Sequence, residues 1–113
     1  GLEAPDGADK IRLYDSYLHK MEAALENGSW LVGAAYSIAD LSVTPYVNRL
    51  AMLSMSDMWE NGRLPRVTDW WDRICARPAF KPMMLDWVPG QLTADLRDNG
   101  AKSWPDVARI LGI

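Results

Sequence analysis

One cysteine, one histidine and one phenylalanine are all that this chain of 113 residues holds of those three types. A single Cys75 rules out an internal disulfide and any cysteine-built zinc cluster, and it fits a reducing compartment, so the cytoplasm is the default location. The lone His19 has no second histidine with which to hold a metal or complete a triad, and it reads as a structural residue on a helix. Long apolar runs are missing as well. The longest charge-free stretches, Asn27 to Ala39 and Leu50 to Ser56, are broken by Gly, Ser, Asn or Tyr. Neither reaches the roughly 20 apolar residues that a spanning helix needs, so no membrane partner is expected. Basic charge is in short supply: 12 Lys and Arg face 15 Asp and Glu, for a net charge of -3 and a pI near 5.0. That balance removes any general attraction to phosphate backbones and excludes nucleic acid as a partner on charge grounds. A Gly-rich phosphate loop, a Gly-x-Ser-x-Gly elbow and a His-Glu-x-x-His helix are all absent.

What the chain does have is apolar bulk. Hydrophobic residues make up 49% of it, with six Trp and six Met, so one domain can bury a real core without a disulfide or metal staple. Large, adaptable side chains of this kind serve core packing first and the lining of an apolar groove second.

Apolar spacing predicts an all-helical chain. Ile11, Tyr14, Leu18, Met21 and Leu25 recur every three or four residues, which makes one helical stripe from Asp9 to Leu25. Asp6 or Asp9 can cap its start, and Asn27-Gly28 supplies the left-handed residue that commonly ends a helix. After a loop from Ser29 to Tyr36, a second helix is expected from Ser37 to about Met55, bent by Pro45. Asn61-Gly62 and Leu64-Pro65 mark a break. A third helix then carries Val67, Trp70, Trp71 and Ile74 and must stop by Arg77, because the residue before Pro78 is pushed out of the helical region. Beyond it the pattern loosens into a short segment from Phe80 to Trp87, a Pro89-Gly90 turn, a polar stretch from Gln91 to Asn99, and a last short helix from Trp104 to Leu111. Ser103 and Asp106 mark that helix's start. The three Asn-Gly pairs lack alternating flanks and read as helix ends, not hairpin turns. The expected organisation is a flexible leader over 1–8, a helical region over 9–87, and a tail over 88–113. The first residues show neither an initiator Met nor a basic-then-apolar signal, so the chain reads as starting at a cut end.

The most informative segment is Tyr36-Ser37-Ile38-Ala39-Asp40-Leu41. Here the Ser37 hydroxyl can accept the amide of Asp40 while the Asp40 carboxylate reaches back to the amide of Ser37, satisfying two donors that a helix start leaves open. Tyr36 and Leu41 flank the box where a hydrophobic staple sits. Trp30-Leu31-Val32-Gly33 precedes it; a proline-containing helix, Leu64-Pro65, Trp70, Trp71 and Arg77-Pro78-Ala79-Phe80 follow.

That succession resembles the C-terminal half of glutathione S-transferases over roughly residues 10–87. The resemblance implies an all-α fold, a small helical bundle like the C-terminal domain of the cytosolic enzymes. It also implies that Ser37 and Asp40 are a folding element, with no catalytic residue in this chain. Family members carry a thioredoxin-like domain that binds glutathione and activates its thiol; neither that domain nor the long helix that opens the C-terminal domain is matched here. By resemblance, then, the chain is the hydrophobic-substrate side of a glutathione transferase-like enzyme, inactive alone. It holds no cofactor of its own, and glutathione is a co-substrate only with the missing domain. The alternative is a stand-alone, non-catalytic helical module for dimerisation or assembly. Tyr14, Tyr17, Met83, Met84 and Trp87 are the residues that the resemblance would place at an apolar substrate pocket. The expected partners are a thioredoxin-like domain or a second copy, and an apolar small molecule. Cys75 reads as a buried structural thiol, and Asp69 with Asp72 as a solvated helix face.

Overall fold

The computed structural model describes residues 7–86 and 88–113. The expected leader over 1–8 falls mostly outside them; Gly7, its first described residue, already opens a helix. Four α-helices follow in order: α1 (Gly7–Ala24), α2 (Ile38–Met52), α3 (Pro65–Ala76) and α4 (Gly90–Leu111). A 3-10 turn, Leu25–Asn27, extends α1, another spans Ser56–Met58, and a π-helical turn covers Lys81–Leu85. Among the described residues the extended structure is one isolated bridge, Trp30 to Gly33.

The stripe on α1 does what its spacing dictates. Ile11, Leu18, Met21 and Leu25 are buried, and α1 packs against both α3 and α4. Opposite them, Val67, Trp70, Trp71 and Ile74 on α3 form the centre of the core with Trp59, Met58 and Val107. Trp71 joins this cluster through edge contacts to Trp59 and Phe80, with ring centroids 6.3 and 5.5 Å apart.

Polar contacts set how α1 meets α3. Pro65 stands at the first position of α3, where its missing N–H costs nothing. The next two amides, of Arg66 and Val67, both donate to the Glu22 carboxylate at 3.0 Å, so a side chain on α1 caps the start of α3. Asp15 on α1 accepts a bidentate pair of bonds from Arg63 at 2.6 and 3.1 Å, and Arg63 also donates to the carbonyl of Met58. Arg77 ends α3 with extended backbone ahead of Pro78, where the proline rule puts the boundary.

Two local expectations fail. Gly28 is not left-handed: its φ of 166° is extended backbone. Glycine is needed there for space, since a Cβ would stand 2.4 Å from the carbonyl oxygen of Gly33. The tail is the larger correction, because the polar stretch and the short helix expected from Trp104 are parts of one helix of 22 residues. Leu92, Leu96, Gly100, Trp104, Val107 and Leu111 recur at helical spacing, and reading Asn99-Gly100 as a helix end hid that stripe. Gly100 is a buried contact point, where a Cβ would stand 1.6 Å from the carbonyl oxygen of Leu53. Its bare backbone lets α4 lie against the end of α2, and the Ser54 hydroxyl ties the crossing by donating to the Arg97 carbonyl at 3.0 Å. Ser103 starts nothing; its hydroxyl donates to the carbonyl of Asn99 within the helix. Gly112, with φ 74°, is the left-handed residue that ends α4.

Candidate functional site

Asp40 organises the surroundings of α2. Ser37 and Asp40 form the expected capping box: Asp40 Oδ2 accepts the amide of Ser37 at 2.9 Å, while the Ser37 hydroxyl is 3.2 Å from the amide of Ala39, one residue before the one expected, and accepts from it. The carboxylate does more than close the box. Its Oδ1 accepts the amide of Leu31 and the indole N–H of Trp70, each at 2.9 Å, and the residue is fully buried. One side chain therefore locks the start of α2 to the preceding loop and to the centre of α3. A buried carboxylate is tolerated here because four donors, counting the Ser37 hydroxyl at 3.3 Å, converge on it at the positive end of a helix.

With α2 held this way, its outward face and that of α1 form the two walls of an apolar groove of about 660 Å³. Leu13, Tyr14, Tyr17 and Met21 line one wall, and Val43, Tyr46 and Leu50 the other. Both sets follow helical spacing, three or four residues apart. Leu13, Tyr14, Tyr17 and Tyr46 remain 41–65% exposed although all are large and apolar, which is the feature that sets this face apart from a packed core. Lys10 stands at one end, and the Lys20 ammonium lies 5.5 Å from the centre of the Tyr17 ring.

The structure divides the five residues singled out for a substrate pocket. Tyr14 and Tyr17 are in the groove. Met83 and Met84, on the π-helical turn, line a separate small cavity with Tyr36, Arg77 and Phe80. Trp87 lies outside the described residues. Sequence reasoning missed Leu13, Val43, Tyr46 and Leu50. The signal for the last three was their spacing of three and four along α2, where the sequence reading drew no apolar face.

The other candidates for chemistry are quickly placed. His19 is exposed, with Nδ1 2.8 Å from the carbonyl of Asp15. Asp69 and Asp72 face solvent. Cys75 corrects the expectation of a buried thiol, since the residue is exposed. Its pKa is nevertheless raised to about 11, by desolvation of the sulfur first and by the Asp72 carboxylate second, so neither Arg73 nor Arg77 makes it a thiolate. Among the described residues no group of three His, Cys, Asp or Glu side chains is placed to hold a metal, and no helix is long and apolar enough to cross a membrane.

Comparison with known proteins agrees with this architecture. The family model for the glutathione S-transferase C-terminal domain matches residues 4–78. The chain is 38% identical over 89 residues to the disulfide-bond oxidoreductase YfcG of Escherichia coli, covering 74% of this chain and 35% of that protein. It is 34% identical over 77 residues to the glutathione S-transferase-like protein tpcF of Aspergillus fumigatus, covering 66% and 34%. It is also 36% identical over 64 residues to a 2,5-dichlorohydroquinone reductive dechlorinase of Sphingobium indicum, covering 56% and 18%. The chain thus spans about a third or less of the length of these relatives. No solved structure gives a significant match. A family model that covers most of the chain, on an all-helical bundle opened by the Ser37–Asp40 box, shows that the chain belongs to the glutathione S-transferase C-terminal domain family.

Proposed function

We propose that this domain supplies the hydrophobic-substrate side of a glutathione transferase-like enzyme and does not conjugate by itself. Glutathione and the activation of its thiol would come from a thioredoxin-like domain joined to it, and the chemistry would be thiolate attack on an electrophilic centre. The α1/α2 groove carries this reading: its volume lies within the range of small-molecule sites, and its walls are mostly apolar, with Tyr14, Tyr17 and Tyr46 among them. One relative is a disulfide-bond oxidoreductase and another a reductive dechlorinase that takes a chlorinated aromatic, which supports thiol chemistry and an apolar aromatic substrate respectively. Tyr14 and Tyr17 would hold the ring of an apolar substrate in line, a positioning role and not a chemical one.

The exposed rim also favours a second reading. Leu13, Tyr14 and Tyr17 on the α1 wall and Tyr46 on the α2 wall expose apolar surface that a second copy or another domain can cover, as an assembly module requires.

One experiment separates the two. The purified chain is titrated with a neutral naphthalene dye, alone and as Tyr46→Glu, a substitution at a residue exposed enough to leave folding intact. The substrate reading expects dye binding by a monomer, weakened about tenfold or more in the variant, and no turnover of a chlorinated aromatic with glutathione. Turnover by the chain alone, or binding indifferent to Tyr46→Glu, refutes it. A dimer in sedimentation that Tyr46→Glu dissociates supports the assembly reading.

A further inference from the structure

Among the described residues of this acidic chain, Arg12, Arg63, Arg66, Arg97 and Arg109 pair with a carboxylate, and Arg49, Arg73 and Arg77 form no such pair. Arg73 and Arg77 lack one although Asp69 and Asp72 lie close in sequence, and both guanidiniums stand over one indole. Their centres are 5.6 and 5.8 Å from that of the Trp30 ring. Arg73 is partly spent on structure, because Nη2 donates to the carbonyl of Ser29 at 2.6 Å, while its buried Nε has no partner. Arg77 is different. It is half-buried, its guanidinium is stacked 3.5 Å from the centre of the Tyr36 ring, and among the described residues no acceptor takes any of its side-chain donors. Stacking uses the face of the guanidinium and leaves its edge, which carries the N–H groups, free to meet an oxyanion. The same side chain forms part of the wall of a small, half-open pocket of about 30 Å³ that Leu41, Ile74, Phe80, Met83 and Met84 line with apolar atoms.

We propose that this is a second ligand site, distinct from the groove, for a small monocarboxylate. The carboxylate pairs with the edge of Arg77, Arg73 adds a second positive charge behind it, and a short aliphatic end enters the Phe80–Met84 cavity. The small volume of the pocket points to a short aliphatic end of about two or three carbons. A fixed planar fork next to an apolar hole selects a carboxylate over an amide of the same shape, because only the anion completes the charge-assisted pair.

The test is a titration of the chain with butyrate, butyramide and inorganic phosphate, followed by NMR at the Arg77 Nε–H and the methyls of Met83 and Met84. Butyrate is expected to move the Arg77 signal and both methyls along one saturable curve, and butyramide to bind at least about tenfold more weakly. Arg77→Gln should lower butyrate affinity by a similar factor, and Arg77→Lys, which keeps the charge and loses the fork, by less. Equal binding of butyramide and butyrate overturns the proposal. So does phosphate that binds as tightly as butyrate without moving the methyls, which would mark a guanidinium attracting any anion. The butyrate and butyramide comparison needs no variant, so it decides the matter even if Arg77→Gln fails to fold.

Discussion

Replacing Asp40 with alanine removes one carboxylate and strands donors in three parts of the chain. The amides of Leu31 and Ser37 and the indole N–H of Trp70, all held at 2.9 Å, lose their acceptor, and the Ser37 hydroxyl at 3.3 Å loses its partner but can rotate. A capping residue deleted from an exposed helix costs about 1 kcal/mol. A buried donor left without a partner costs about 1–3 kcal/mol, and three of them would exceed what a small domain can lose if the effects simply added. Some relief is expected at Ser37, which is half-buried where Trp70 is fully buried. The expected loss for Asp40→Ala is therefore about 3–5 kcal/mol, above the 1–2 kcal/mol that a cap would suggest. For a domain of this size that lowers Tm by at least about 12 °C. Urea unfolding followed by tryptophan fluorescence and by circular dichroism measures it. Asp40→Asn is the sharper control. Whichever way the amide is turned, its NH2 faces N–H donors on one side, so the isosteric change should also destabilise, by about 2 kcal/mol. Trp70→Phe combined with Asp40→Ala should cost less than the two single changes summed, because the stranded indole is gone. A loss under about 1 kcal/mol for Asp40→Ala would refute the reasoning and reduce Asp40 to an ordinary cap.

Two further outcomes follow from the same geometry. Gly100→Ala should destabilise by about 1–3 kcal/mol although alanine is the better helix former by about 1 kcal/mol, because its Cβ would meet the Leu53 backbone; a stabilised variant in urea unfolding would mean that α4 does not lie against α2. Cys75, with a pKa raised from 9.0 to about 11, should be alkylated by iodoacetamide at pH 8 roughly tenfold more slowly in the folded than in the unfolded chain, since the smaller thiolate fraction is partly offset by the greater nucleophilicity of a more basic thiolate. The rate should keep climbing with pH up to that value; a plateau near pH 9 would show an ordinary thiol. The sign for stability follows, since the folded thiol holds its proton more tightly: the contribution is complete below 9.0 and fades as pH rises through about 11.

Local physics made much of this molecule legible in its sequence. The stripe from Ile11 to Leu25, the Ser37–Asp40 box and the stop at Arg77-Pro78 are encoded by residues within a few positions of one another, and α1, α2 and α3 form where those signals lie. Only folding could show what depends on distance. Gly28 and Gly100 looked like punctuation, yet each is small because backbone from elsewhere passes within a Cβ's reach. Asp40 looked like the cap of one helix, and the chain folded back to give it Leu31 and Trp70 as well. The same holds for the candidate sites. Tyr14 and Met83 both read as apolar side chains suited to a pocket, but which wall each belongs to is set by how α2 crosses its neighbours, and the structure puts them in different cavities. Periodicity says which face of a helix is apolar; whether another helix covers that face or leaves it open as a groove is decided by packing.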